Sequence, residues 1–291
     1  MTPPQAPRSP QSTDPSFPPA ERGLLHELRL FLVALQFLTR VPIPPSVGFR
    51  EAWLHDSARH FPAVGLLVGG AGAAVLALGA LLFPLPLAVL LSMAATVLLT
   101  GAFHEDGVAD TCDALGGAVT RERALAIMKD SRIGTYGALG LGFTLAIKAA
   151  ALTALAGIGI DWAVVALVVG HAASRTASVA LIHALPYAGD PEHAKAKPLA
   201  QRIGRLGLAV ACAWTVTASM AAVAAGFSGG WPALGSGVLA AALTAWACAC
   251  WFRRRLGGVT GDTLGATQGF SEVALYLGLL AAATLADRWL A

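Results

Sequence analysis

Charged residues in this 291-residue chain are bunched, and long uncharged tracts separate the bunches. The longest tract runs 43 residues, from Phe61 to Phe103, and is interrupted by Pro84-Leu85-Pro86. Proline breaks a continuing helix, so the tract predicts two spans, 61–83 and 87–103. Further apolar tracts predict spans at 137–159, 162–183, 206–227, 231–252 and 269–286. Each is near the roughly 20 residues a helix needs to cross a bilayer. The last is the least apolar, because Glu272 sits near its start. Glycines such as Gly65, Gly69 and Gly72 suit close helix packing inside a membrane. Residues 24–39 form an amphipathic stretch that includes Glu27 and Arg29, and predict an interfacial or re-entrant helix. The expected fold is an all-α polytopic membrane protein, with about seven transmembrane helices plus that N-terminal helix. Residues 1–20, rich in Pro with Ser, Thr and Gln, read as a disordered tail and not as a cleavable signal peptide. Residues 21–291 are expected to form one integral membrane catalytic domain.

Composition agrees with this pattern. Hydrophobic residues make up 56% and charged residues 13%, against about 25% charged in an ordinary soluble domain. Lys and Arg fix an orientation: 17 of the 20 fall in segments 1–60, 104–136, 184–205 and 253–268. Those segments are therefore expected on the cytoplasmic side. No basic run with interleaved aromatics points to nucleic acid. Cys112, Cys212, Cys248 and Cys250 lack zinc-ligand spacing and imply no disulfides. The loop residues His193, Lys195, Lys197, Arg202 and Arg205 read as a solvated face.

The chemistry concentrates where the first long tract ends, at Glu105-Asp106-Gly107-Val108-Ala109-Asp110-Thr111-Cys112-Asp113. Acidic side chains are unfavourable beside lipid and need compensation. On a helix, Asp106, Asp110 and Asp113 fall at i, i+4 and i+7 and share one face. A divalent cation relieves their repulsion, and oxygen-only ligands suit Mg²⁺ or Mn²⁺. His104, preceding the run, is either an interfacial side chain or a ligand or proton carrier. A second segment, Lys129-Asp130-Ser131-Arg132-Ile133-Gly134-Thr135-Tyr136-Gly137, combines cations with small residues before a span, which suits a phosphate cradle or a positive-inside anchor. A third, Gly257-Gly258-Val259-Thr260-Gly261-Asp262-Thr263-Leu264-Gly265, is a Gly-rich turn in which Asp262 and Thr263 offer oxygen to a metal or hydroxyl. Arg175 and Lys148 lie within apolar spans, where cations face a partner or a polar cavity. Arg175 is expected to reach a substrate phosphate or to neutralise the acidic cluster. His171, one turn before it, is expected to pack.

Taken in order, these segments resemble the cobalamin-5′-phosphate synthase family, also called adenosylcobinamide-GDP ribazoletransferase. The resemblance rests on Phe37-Leu38-Thr39-Arg40-Val41-Pro42-Ile43-Pro44, Phe103 to Asp113, Met128 to Thr135, and Gly257 to Ala266, and spans about residues 24–286. One departure is Glu105, where an apolar residue is expected before Asp-Gly. The resemblance implies a Mg²⁺-dependent transferase of the bacterial inner membrane, acting late in cobalamin assembly with its site facing the cytoplasm. It would join adenosylcobinamide-GDP to α-ribazole or its 5′-phosphate and release GMP. Self-assembly or association with other enzymes of the pathway stays open. In such a reaction Asp106 and Asp110 would hold the metal, with Asp130 or Asp262 completing its shell. Asp113 or His104 would serve as base, while Lys129 and Arg132, with Arg175 and Thr263, would bind phosphate. Two other readings share some of these features. A CDP-alcohol phosphotransferase also uses an Asp-Gly and Asp cluster, but its Asp-Gly-x-x-Ala-Arg pattern is not met after Asp106. An ion-coupled transporter would place its charges nearer mid-membrane.

Overall fold

A computed structural model describes residues 23–48, 50–189 and 200–290. The proline-rich tail and residues 190–199, with His193, Lys195 and Lys197, lie outside them. The described residues form eleven α-helices and no strand. They are α1 (Leu24–Leu38), α2 (Glu51–Ser57), α3 (Phe61–Ala80), α4 (Leu85–Thr100), α5 (Phe103–Gly116) and α6 (Arg121–Ile127). Then come α7 (Thr135–Ile158), α8 (Ile160–Ala184), α9 (Arg205–Ala224), α10 (Gly230–Leu256) and α11 (Gly261–Leu290). Six helical stretches are long and apolar enough to cross a membrane, or seven if α4 and α5 count as one bent span.

That bend is the main departure from the expected spans. At 16 residues, α4 is about 24 Å long, short of the roughly 30 Å hydrocarbon core. The chain then turns by 90° into α5. Gly101 (φ 70°) and Ala102 (φ 60°) make the turn, both in the left-handed region that ordinary side chains disfavour. The acidic run therefore lies on a helix directed across the end of α4. The last span also begins earlier than expected. Its helix starts at Gly261, so only residues 257–260 separate α10 from α11.

The bundle centres on α8, whose window of highest hydropathy is the most enclosed of the spanning stretches. Small residues let helices approach it. A Cβ on Gly65 or Gly69 of α3 would strike the α8 backbone at His171 or Leu167. Apolar clusters fill both ends of the bundle, one around Phe61, Phe252 and Leu256, the other around Leu152, Leu167 and Leu279. Helix α1 is amphipathic as expected. It packs its Leu30 and Val33 side against α2 and α3 and leaves Leu24, Leu25 and Leu28 exposed.

Candidate active site

All three sequence segments meet at one end of the bundle. Two arginines join the helix ends there. Arg255 donates to the carbonyls of Leu115 (3.0 Å) and Gly117 (2.8 Å), closing the C-terminal end of α5. Arg121 donates to Leu256 (2.7 Å) and Ala188 (3.1 Å), closing that of α10. Carbonyls at a helix end lack partners of their own, so a guanidinium is a strong substitute. The Gly-rich turn is fixed by a short parallel pairing: Val259 N–H donates to Pro186 (2.9 Å), and Ala188 N–H to Val259 (2.8 Å). Gly258 permits this, since a Cβ there would collide with the Pro186 carbonyl.

Helix α5 lies on the start of α11. A Cβ on Gly107 would sit 2.7 Å from the Asp262 carbonyl oxygen and 3.1 Å from Gly265 Cα. Asp262 thus overlies the residue that follows Asp106. Asp106 is exposed, while Asp110 and Asp262 are half-buried. Among the described residues, no three His, Cys, Asp or Glu side chains converge into a ready metal cage. The donor chemistry nonetheless fits Mg²⁺. That ion prefers oxygen ligands, keeps waters, and is commonly held by one or two carboxylates plus substrate phosphates.

The other expected site residues take different positions. Asp113 accepts from Gly134 N–H (2.6 Å) and Gly137 N–H (2.7 Å), so both carboxylate oxygens cap the start of α7. Asp130 clasps Arg132, with Nη2 to Oδ2 at 2.6 Å, and this pairing holds the Asp130 carboxyl down at about 2. Lys129 and Arg132 are exposed at the same end. Thr263 is fully buried: its Oγ1 accepts from Thr260 N–H (2.8 Å) and donates to the Thr260 carbonyl (3.0 Å), a reciprocal cap of α11. His104 is buried, on the inner side of α5 and about half a turn from the face of Asp106 and Asp110.

Arg175 is 2% exposed and lies inside the bundle with charges the sequence reading had not joined. Lys148 Nζ meets Glu272 Oε1 at 2.6 Å. Tyr276 OH and Gln268 Nε2 also donate to Glu272, both at 2.6 Å. His171 Nε2 lies 3.5 Å from the same carboxylate, and Arg175 Nη1 donates to the His171 carbonyl at 2.9 Å. His171 is thus a member of a polar network. One signal pointed to it: two cations inside spans require an anion, and Glu272 with Gln268 and Tyr276 sits at helical i±4 spacing.

Comparison with known proteins decides the family. The family model described as cobalamin-5-phosphate synthase matches residues 30–280. The chain belongs to the cobalamin-5-phosphate synthase family. A Leptothrix cholodnii protein named adenosylcobinamide-GDP ribazoletransferase is 57% identical over 260 residues, covering 89% of this chain and 97% of its own. Proteins of the same name from Albidiferax ferrireducens and Vibrio cholerae are 43% and 40% identical, covering 87% and 89% of this chain and 97% and 95% of their own. No solved structure matches. Membership of the family accounts for the order of the motifs, and the structure adds that they share one end of the bundle.

Proposed function

We propose that this chain is an adenosylcobinamide-GDP ribazoletransferase of the bacterial inner membrane, with its site on the cytoplasmic side. A ribose hydroxyl of α-ribazole, or of its 5′-phosphate, attacks the cobinamide-side phosphorus of the pyrophosphate. The new P–O bond forms as the bond to GMP breaks, and the hydroxyl proton passes to a base. The observation that carries this reading is the meeting of the Asp106–Asp110 face, the Lys129–Arg132 loop and the Asp262 turn at one end of the bundle, all within a chain of this family. The relatives give no support to the CDP-alcohol phosphotransferase or transporter readings.

Within this proposal Asp106 and Asp110, with Asp262, would hold Mg²⁺, which neutralises pyrophosphate oxygens when bound. Lys129 and the Nη1 edge of Arg132 grip the pyrophosphate, and Asp130 orients that guanidinium. Asp113 holds α7, and through it the preceding Lys129–Arg132 loop, in place. Thr263 supports the Asp262 turn without touching phosphate. Arg175 acts from beneath the acidic helix.

The test is GMP release by the purified protein in liposomes, from adenosylcobinamide-GDP with and without α-ribazole 5′-phosphate, in Mg²⁺ and in EDTA. Release that requires both acceptor and metal is expected, with Asp106→Ala inactive. Release of a different nucleotide, or full activity in EDTA, refutes the reading.

A further inference from the structure

The segment Phe37 to Pro44 lies outside the three segments that meet in the candidate site, yet it packs against the start of the acidic helix. The Phe37 ring meets Phe103, the first residue of α5, edge to face at 5.4 Å, and stacks on Phe61 at 5.7 Å. Phe103 precedes Asp106 by three residues and Asp110 by seven, so all three share one side of α5. The chain leaving α1 therefore borders the Asp106 end of the acidic face. The Lys129–Arg132 loop borders the other end, where Asp113 accepts from Gly134 N–H. Between the two ends the face runs about 10 Å along the helix.

Arg40 is fixed at the first of these ends by its backbone. Its N–H donates to the Leu99 carbonyl (2.8 Å), near the end of α4. Beside it, the Thr39 hydroxyl donates to the Leu35 carbonyl (2.7 Å) and accepts from Val41 N–H (3.2 Å). The guanidinium lies over the left-handed turn between α4 and α5, since a Cβ on Gly101 would strike its Nε. The next carbonyl, of Ala102, accepts from Asp106 N–H (2.9 Å), so the cation covers the turn that carries the first acid of the face. The Arg40 side chain is exposed, and among the described residues it has no ion pair or hydrogen bond. Its two-pronged fork is thus open to a ligand anion, and a phosphate matches that fork.

We propose that Arg40 holds the 5′-phosphate of the acceptor, and so makes the site prefer α-ribazole 5′-phosphate to α-ribazole. The assignment rests on the transferase reading. In an in-line displacement the attacking hydroxyl and the leaving group stand on opposite sides of the phosphorus. Lys129 and Arg132 take the pyrophosphate at the Asp113 end, so GMP departs towards that end. The acceptor then enters from the Asp106 end, where Arg40 waits. The 5′-phosphate is the one group that distinguishes the two acceptors.

The test is steady-state GMP release in liposomes with each acceptor in turn, by the wild type, Arg40→Met and Arg40→Lys. The measured quantity is the ratio of kcat/KM for α-ribazole 5′-phosphate to that for α-ribazole. In Arg40→Met it is expected to fall about 10- to 100-fold, the range for losing hydrogen bonds to a charged group. Arg40→Lys keeps the charge without the fork and is expected to fall less far. An unchanged ratio, with both acceptors losing activity alike, makes Arg40 a brace for the turn and overturns the proposal. A rise in KM for adenosylcobinamide-GDP as large as that for α-ribazole 5′-phosphate overturns it too. If Arg40→Met does not fold, Arg40→Lys is judged by the same ratio. Calorimetric binding of each acceptor alone separates the subsite from turnover. A wild type that releases no GMP, yet binds α-ribazole 5′-phosphate more tightly than α-ribazole through Arg40, refutes the transferase and keeps the subsite. A wild type that binds the two equally overturns the subsite.

Discussion

Asp113→Asn separates two roles for the acid that ends the acidic face. As a base, Asp113 would take the hydroxyl proton, and its loss would lower kcat by about 10²–10⁴ with KM little changed. As a cap, it holds Gly134 N–H at 2.6 Å and Gly137 N–H at 2.7 Å. Each hydrogen bond to a charged acceptor is worth about 1.5–3 kcal/mol, and solvent at the exposed Gly134 end pulls that bond to the lower figure. The favourable placement of a carboxylate at a helix start adds about 0.3–1 kcal/mol. Asn keeps one acceptor oxygen and loses the charge, so a loss of about 2 kcal/mol is expected, confined to the start of α7. Lys129 and Arg132 lie just before that helix, and their loosening raises KM more than it lowers kcat. Gly137→Ala provides a control that leaves the acid in place. The added Cβ would lie 2.7 Å from Asp113 Cγ and 2.8 Å from the Ala109 carbonyl oxygen, so the carboxylate must leave its cap. Steady-state GMP release by both variants, against each substrate in turn, reads the split. A kcat loss above a hundredfold in Asp113→Asn at constant KM, with Gly137→Ala near wild type, refutes the cap.

Arg255→Ala leaves the Leu115 and Gly117 carbonyls without their donor, which should cost about 2–3 kcal/mol in a urea or thermal titration. Arg255→Lys should recover only part of this, since one ammonium replaces a fork of two bonds. Gly107→Ala forces α5 away from the Asp262 carbonyl, and destabilisation of about 1–3 kcal/mol is expected together with weaker Mn²⁺ binding. For Asp130 the sign follows from a folded value held down by Arg132. Its contribution is present above the ordinary carboxylate range and lost as pH falls toward 2. Wild-type and Asp130→Asn pH–rate profiles should therefore run parallel from pH 6 to 9, and a divergence there would show that Asp130 has a second role.

How far the sequence could be read depends on which interactions are local. Spans were legible because a helix in lipid must satisfy its own backbone, so length and apolarity suffice. The break after Thr100 was not, since Gly101-Ala102 carries no proline and the tract stays apolar to Phe103. Only the left-handed pair at Gly101 and Ala102 turns the chain. The shared face of Asp106, Asp110 and Asp113 was legible from helical spacing, yet spacing says nothing about what approaches that face. Gly134 and Gly137 reach Asp113 from 21 and 24 residues away, and this gives a carboxylate expected to react a supporting contact that helical spacing cannot show. Glu272 shows the same limit from the other side. Along the chain it is one acid that weakens an apolar span; in the bundle it is where Lys148, His171, Gln268 and Tyr276 converge. Lys148 and Arg175, both inside apolar spans, demanded partners on energetic grounds alone. The only acid within the expected spans was Glu272, so a charge count already pointed to it. That count also left one cation over: Arg175, whose Nε and Nη2 are buried without a hydrogen bond.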